Sequence, residues 1–118
     1  MHNLKEIKIW HKAIDLAADV YKVTGDLPKE EKYGLTSQLR RSAVSIPSNI
    51  AEGAGRNTNG EFVHFLGIAN GSAYELQTQL TLAVKLSLLQ DKAIKSLLSE
   101  LDSLEKMIYR FQETLRRK

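Results

Sequence analysis

The chain has no cysteine, and only two prolines and one tryptophan among its 118 residues. Without thiols there is no disulfide framework and no thiolate zinc site. A cysteine-free chain fits a reducing compartment, and a cytoplasmic location is expected. No run of about 18 uncharged apolar residues occurs, so no transmembrane helix is expected. The start, Met1-His2-Asn3-Leu4-Lys5-Glu6, lacks the basic-then-apolar order of a secretory signal. No stretch alternates apolar and polar residues for long enough to make a strand, and there is neither an internal repeat nor a low-complexity tract. Few prolines and seven glycines leave room for long helices.

What is present is ordinary for a globular chain: 42% hydrophobic and 26% charged residues, enough for one modest core over residues 1–118. The net charge of +3 is unevenly spread. Residues 1–32 balance, whereas residues 33–60 carry Arg40, Arg41 and Arg56 against Glu52 alone. The last stretch ends in Arg116-Arg117-Lys118, with Arg110 one to two turns earlier. These seven residues, Arg40, Arg41, Arg56, Arg110, Arg116, Arg117 and Lys118, are the candidate nucleic-acid contacts, because guanidinium forks match phosphate oxygens. The competing reading of Arg40 and Arg41 is structural. Successive helical positions differ by about 100°, so one would pair with a carboxylate such as Glu52 or Glu75 while the other is solvated.

Apolar periodicity predicts four helices. The first spans Leu4 to Thr24, with a seam of Ile7, Trp10, Ile14, Ala17, Tyr21 and Thr24 widened by Leu16 and Val20. Gly25 and Pro28 end it, and Lys29 to Lys32 reads as a charged connector or a short helical turn. The second runs from Tyr33 to Gly53, with Gly34 marking a break and Leu35, Leu39, Ala43, Ile46 and Ile50 on one face. Pro47 lies within that face and should kink the helix by removing an N–H and crowding the Ala43 carbonyl. Ser45, Ser48 and Asn49 could satisfy the freed carbonyl. Thr58 with Glu61 matches a capping box for the third helix, which runs to about Leu89 with Phe62, Leu66, Ala69, Ala73, Leu76, Leu80 and Ala83 inward. Gly67 and Gly71 beside that seam are read as a close-packing pair. Asp91 is the N-cap of the fourth helix, whose seam is Ile94, Leu97, Leu101, Leu104, Ile108, Phe111 and Leu115. Short connections join them into an all-α, antiparallel up-and-down four-helix bundle.

Catalytic patterns are missing. Glu61-x-x-His64 is a single pair where a di-iron bundle needs two pairs and two further glutamates. Ser42, His64 and Glu75 make a triad only on paper, without a nucleophile elbow. Gly53-Ala54-Gly55 has neither the third glycine nor the preceding strand of a dinucleotide site. No enzyme activity, metal or cofactor is expected.

The run Arg40-Arg41-Ser42-Ala43-Val44-Ser45-Ile46-Pro47-Ser48-Asn49-Ile50-Ala51-Glu52-Gly53 carries a resemblance. So do Trp10-His11-Lys12-Ala13, Gly55-Arg56, Glu61-Phe62, Phe65-Leu66, Gly71-Ser72 and Glu75-Leu76. Over roughly residues 8 to 89 the chain resembles the four-helix-bundle proteins encoded in intervening sequences of the 23S rRNA gene. It is similar through them to the accessory variability protein of diversity-generating retroelements. It departs at Ser87, where that family often has glycine. The resemblance implies a homopentamer with a basic surface, a nucleic-acid partner (RNA or DNA) and, by analogy with the retroelement relatives, a reverse transcriptase beside it. The alternative is a protein–protein module without nucleic-acid binding. Surplus apolar residues motivate it: Leu16, Val20, Val44, Phe65, Ile68, Leu82, Leu86 and Leu98.

Overall fold

Thr58 caps the third helix with its side chain, whereas Ile7 and Gln90, ahead of the first and fourth, make no side-chain capping bond. A computed structural model describes all 118 residues as four α-helices: α1 Lys8–Thr24, α2 Leu35–Ala54, α3 Asn59–Lys85 and α4 Asp91–Arg116. One-turn 3-10 segments at Leu4–Glu6 and Lys29–Glu31 precede α1 and α2. Each helix packs against its neighbours in the sequence, and α1 closes against α4, so the chain runs up, down, up, down. The bundle measures 46 × 23 × 20 Å. No helix is long and apolar enough to cross a membrane.

The α2 and α3 faces are as the periodicity predicts. Leu35, Leu39, Ala43, Ile46 and Ile50 are buried, as are Phe62, Leu66, Ala69, Ala73, Leu76, Leu80 and Ala83. Phe62 anchors the lower end, with the rings of His2 and Phe111 edge-on to it at 4.9 and 5.3 Å. Thr58 caps α3: its Oγ1 accepts from Glu61 N–H at 3.1 Å, while its hydroxyl donates to the Glu61 carboxylate. At Gly53 the helices leave no room for a side chain. A β-carbon there would lie 2.7 Å from Phe62 Cδ1 and 2.9 Å from Phe65 Cβ.

α1 departs from expectation at both its start and its face. Asn3 accepts from Lys5 N–H and sets a separate 3-10 turn, after which Ile7 is extended; α1 begins only at Lys8. Because Ile7 is not in register with the helix, the seam drawn through it is displaced. The buried face is Ile9, Ala13, Leu16, Ala17, Val20 and Thr24, while Ile14 and Tyr21 are 43% and 46% exposed. Leu16 and Val20, read as widening residues, are at its centre.

Two further differences concern caps. α3 ends four residues earlier than expected, in a Schellman turn: Leu88 N–H donates to Ala83 O and Ser87 N–H to Val84 O, both at 2.9 Å. Ser87 sits at φ 61°, the left-handed position that glycine takes without strain. α4 is preceded by Gln90 as cap residue, and Asp91 is its first helical residue. There its charge still favours the positive end of the helix dipole.

α2 continues through Pro47, which is buried. Asn49 Nδ2 donates to the Ser45 carbonyl at 2.8 Å, not to that of Ala43, and the Ser45 hydroxyl meets that of Ser72 at 2.8 Å. The Gly67/Gly71 pair is not a close-packing device within the chain. Gly71 faces open space, and a β-carbon on Gly67 would meet only Gln112 Nε2.

Candidate nucleic-acid interface

Six of the seven candidate cations fall at two ends of the bundle, and Arg110 stands apart from both groups within α4. Arg40 and Arg41 lie near the end of α1 and the start of α2. Arg56, in the α2–α3 turn, lies at the far end with Arg116, Arg117 and Lys118. At 1.5 Å per residue the two groups are about 20 Å apart along α2. They do not form one patch.

Arg40 is half-buried and committed. Its Nε donates to Thr24 Oγ1 at 2.9 Å, its Nη2 to Tyr21 O at 3.2 Å, and its guanidinium lies 4.4 Å from the centre of the Tyr21 ring. A cation therefore sits on the last carbonyls of α1, where the helix dipole is negative. Neither Arg40 nor Arg41 pairs with Glu52 or Glu75, because those carboxylates have nearer partners. Glu52 pairs with Arg56 at 3.0 Å, and Glu75 lies 3.1 Å from the Ser42 hydroxyl. Arg56 is further held against the Phe65 ring at 4.8 Å. Arg116 is bonded to Glu113. Arg110 is exposed beside a ≈ 500 Å³ cleft between the N-terminal turn and α4. Arg117 and Lys118 are exposed at the chain end.

Arg41 has a different setting. It is exposed, takes part in none of the four ion pairs, and lines an open groove of ≈ 620 Å³ along the start of α2. Lys32 and Arg40 line the same groove, with Tyr21, Tyr33, Thr36 and Ser37, and no lining residue is acidic. Tyr33 is 89% exposed, and Lys32 Nζ stands 5.4 Å from its ring centre. Three cations, two tyrosine rings and the three hydroxyls of Thr36, Ser37 and Ser45 thus share one surface whose lining contains no carboxylate. Lys32, Tyr33, Tyr21, Thr36 and Ser37 are absent from the set read out of the sequence. Their signal was there: Tyr33, Ser37, Arg40 and Arg41 recur at three- and four-residue steps beyond Lys32.

The Ser42, His64 and Glu75 arrangement is not assembled as a triad. His64 and Glu75 lie eleven residues apart on α3, about 16 Å along the helix. Ser42 is near Glu75 but also 2.8 Å from Gln79 Oε1. No three of His, Asp and Glu are grouped closely enough to hold a metal ion.

The class defined by this architecture is the up-and-down four-helix bundle, here with a cation-lined groove at one end. Residues 5–110 match the family of 23S rRNA-intervening sequence proteins, and the chain belongs to that family. It is similar in fold to a protein of unknown function from the S23 ribosomal protein family of Bacteroides thetaiotaomicron, known from a crystal structure. The TM-score is 0.79 at 20% sequence identity, covering 88% of this chain and 97% of that one. No curated protein matches the chain.

Proposed function

We propose that this protein is a non-enzymatic, homo-oligomeric bundle that binds nucleic acid, RNA or DNA, through the groove at the start of α2. The observation that carries the reading is the lining: Lys32, Arg40 and Arg41 with Tyr21 and Tyr33, and no acid. Arg41 and Lys32 take phosphates, and the open face of Tyr33 stacks on a base. Such binding is mainly electrostatic, so it weakens steeply with salt. Fluorescence anisotropy with single-stranded RNA, structured RNA and duplex DNA at about 50 mM salt tests it. Arg41→Gln should lower affinity for every sequence and flatten the salt slope by about 1, while Tyr33→Ala should weaken the single strand most. Absence of binding at micromolar protein would sink the reading.

Self-association draws on the outer face of α3, where Ile68, Leu82 and Leu86 are exposed beside the open Gly71. Ile68 and Leu82 are fourteen residues apart, hence on nearly the same line of the helix. Apolar residues aligned in this way are what an interface covers. Five protomers is the number that the family resemblance implies, and light scattering should report a mass several times 13.3 kDa. The same stripe, with Val44 on α2, favours the second reading, a protein–protein module. That reading predicts association that is indifferent to salt and to Arg41→Gln. Of the other surplus residues, Leu16 and Val20 are core, and Phe65 and Leu98 are half-buried.

A further inference from the structure

Two side-chain rungs cross between α3 and α4, one heptad apart. At the first, Gln112 Nε2 donates to Val63 O at 3.0 Å. At the second, seven residues back on α4 and seven on along α3, Asn70 Nδ2 donates to Glu105 O at 3.2 Å. Gln112 and Glu105 therefore hold the same position of the α4 repeat, and they are 8% and 7% exposed. A neutral amide fills that position at one rung. At the other stands a carboxyl, the only buried acid of the chain.

The inner oxygen of that carboxyl has no donor. Glu105 Oε2 and Asn70 Oδ1 are each enclosed by protein and without a hydrogen-bond partner. No cation of the chain pairs with Glu105. Asn70 cannot turn its amide round to help, because Nδ2 already holds the Glu105 carbonyl. Enclosed acceptors without donors are costly and rare in folded proteins. A proton on the carboxyl itself satisfies both without anything entering from outside. A protonated glutamate is a donor, and an amide oxygen is an acceptor for it.

We propose that Glu105 and Asn70 form a proton-operated latch on the α3–α4 seam. With the carboxyl protonated, Glu105 Oε2 donates to Asn70 Oδ1, and two reciprocal bonds close the rung. With the proton gone, both oxygens are bare acceptors and the Asn70 Nδ2 bond holds the rung alone. Burial first, and the charge of Asp102 second, raise the pKa of Glu105, the direction that the latch requires. The seam is thus tightest in acid and loosens as pH rises through the folded-state value. The ionisable groups around the pair are Tyr74 on α3 and Asp102, Lys106, Tyr109 and Arg110 on α4, and α1 and α2 contribute none to that groove. Lys106 is paired with Asp102 at 3.1 Å. The latch lies on a different pair of helices from the groove at the start of α2 and does not rest on nucleic-acid binding.

Carbon-13 NMR of the glutamate carboxyls in the intact chain, followed against pH, tests this. The Glu105 carboxyl should titrate above an ordinary glutamate, and the Asn70 side-chain amide should shift with the same midpoint. Glu105→Gln supplies a permanent donor, and the Asn70 amide should then lose that shift. Asn70→Leu removes the acceptor and keeps the site apolar. It should raise the acid dissociation constant of Glu105 about threefold or more, because a hydrogen bond to the neutral form is lost. Burial alone would leave that constant unchanged or lower it. The wild-type titration carries the test even if Asn70→Leu fails to fold. The proposal is overturned if the Asn70 amide ignores the titration of Glu105, or if Asn70→Leu leaves the constant unchanged or lower.

Discussion

Arg40 Nε donates to the Thr24 hydroxyl at 2.9 Å, and that hydroxyl in turn donates to Val20 O at 2.7 Å. The first turns of α2 are thereby tied to the last turn of α1. Arg40→Lys keeps the charge and loses the fork. It should cost about 1.5–3 kcal/mol, the usual net value of hydrogen bonds to a charged group, and change nucleic-acid affinity little. Arg41→Gln should do the reverse, lowering affinity with the melting temperature unchanged. Melts and anisotropy on both variants separate the two roles. Equal losses of affinity would merge them.

Gly53→Ala is expected to destabilise by about 1–3 kcal/mol, the range for forcing extra volume into a packed contact. The added carbon would fall 2.7 Å from Phe62 Cδ1. Phe62 is wedged between His2 and Phe111 and has little room to yield. Urea unfolding measures it, and a midpoint equal to the wild type would show that the α2–α3 corner is looser than its geometry.

Ser87→Gly should stabilise the fold by about 1 kcal/mol, since a left-handed L-residue carries roughly 1–2 kcal/mol of strain that glycine avoids. The Leu88 and Ser87 amide bonds to Ala83 and Val84 stay in place. The gain should therefore appear as a higher melting temperature with no change in mass.

Burial, and secondly the charge of Asp102, hold the Glu105 carboxyl above its ordinary range. Tyr109, Lys106 and Arg110 on α4 and Tyr74 on α3 are the other ionisable groups around its groove. A carboxyl whose pKa is raised by folding favours the folded state while protonated, and loses that contribution as pH rises through its folded pKa. Glu105→Gln should thus melt higher than wild type at neutral pH, with the difference shrinking toward acid. A constant difference across that range would exclude titration of Glu105 as its source.

Pro47→Ala restores an N–H and removes a ring from the helix interior. On helix propensity alone it should gain up to about 3 kcal/mol. The expected outcome is instead a loss of stability or of assembly, because Ile46 and Ile50 on either side are both fully buried and must keep their places. Melting and mass on the variant decide. A more stable protein of unchanged mass would make the proline incidental.

The α2, α3 and α4 faces were legible because each is one unbroken helix with an apolar residue at every seam position. Only Phe111 is half-buried. α1 was misplaced by about one residue because Ile7 supports a periodic pattern yet is extended, and Ile9, Ala13, Leu16 and Val20 fit the period equally well. The partner of Arg40 was not legible. Charge pairing points to carboxylates, whereas the acceptors are a hydroxyl and a main-chain carbonyl sixteen and nineteen residues away. The groove was half legible: its arginines were singled out, but Lys32 and Tyr33 belong to it only through the turn that brings α2 back along α1. Glu105 gave no signal, since a glutamate beside a leucine seam usually reaches water.

The order of packing around the bundle bears on how it opens and closes. α2 and α3 share the most extensive contact and are joined by a short capped turn, whereas α1 and α4, at opposite ends of the chain, share the sparsest. Contacts between sequence neighbours form with little loop-closure entropy, and those between distant segments come late. The α2–α3 hairpin is therefore the natural nucleus, and the α1–α4 seam the last to zip and the first to breathe. Amide exchange should be slowest at Leu66 and Ala69 and fastest among helical amides along α1, so that the fold is held as a hinged clasp and not as a uniform barrel.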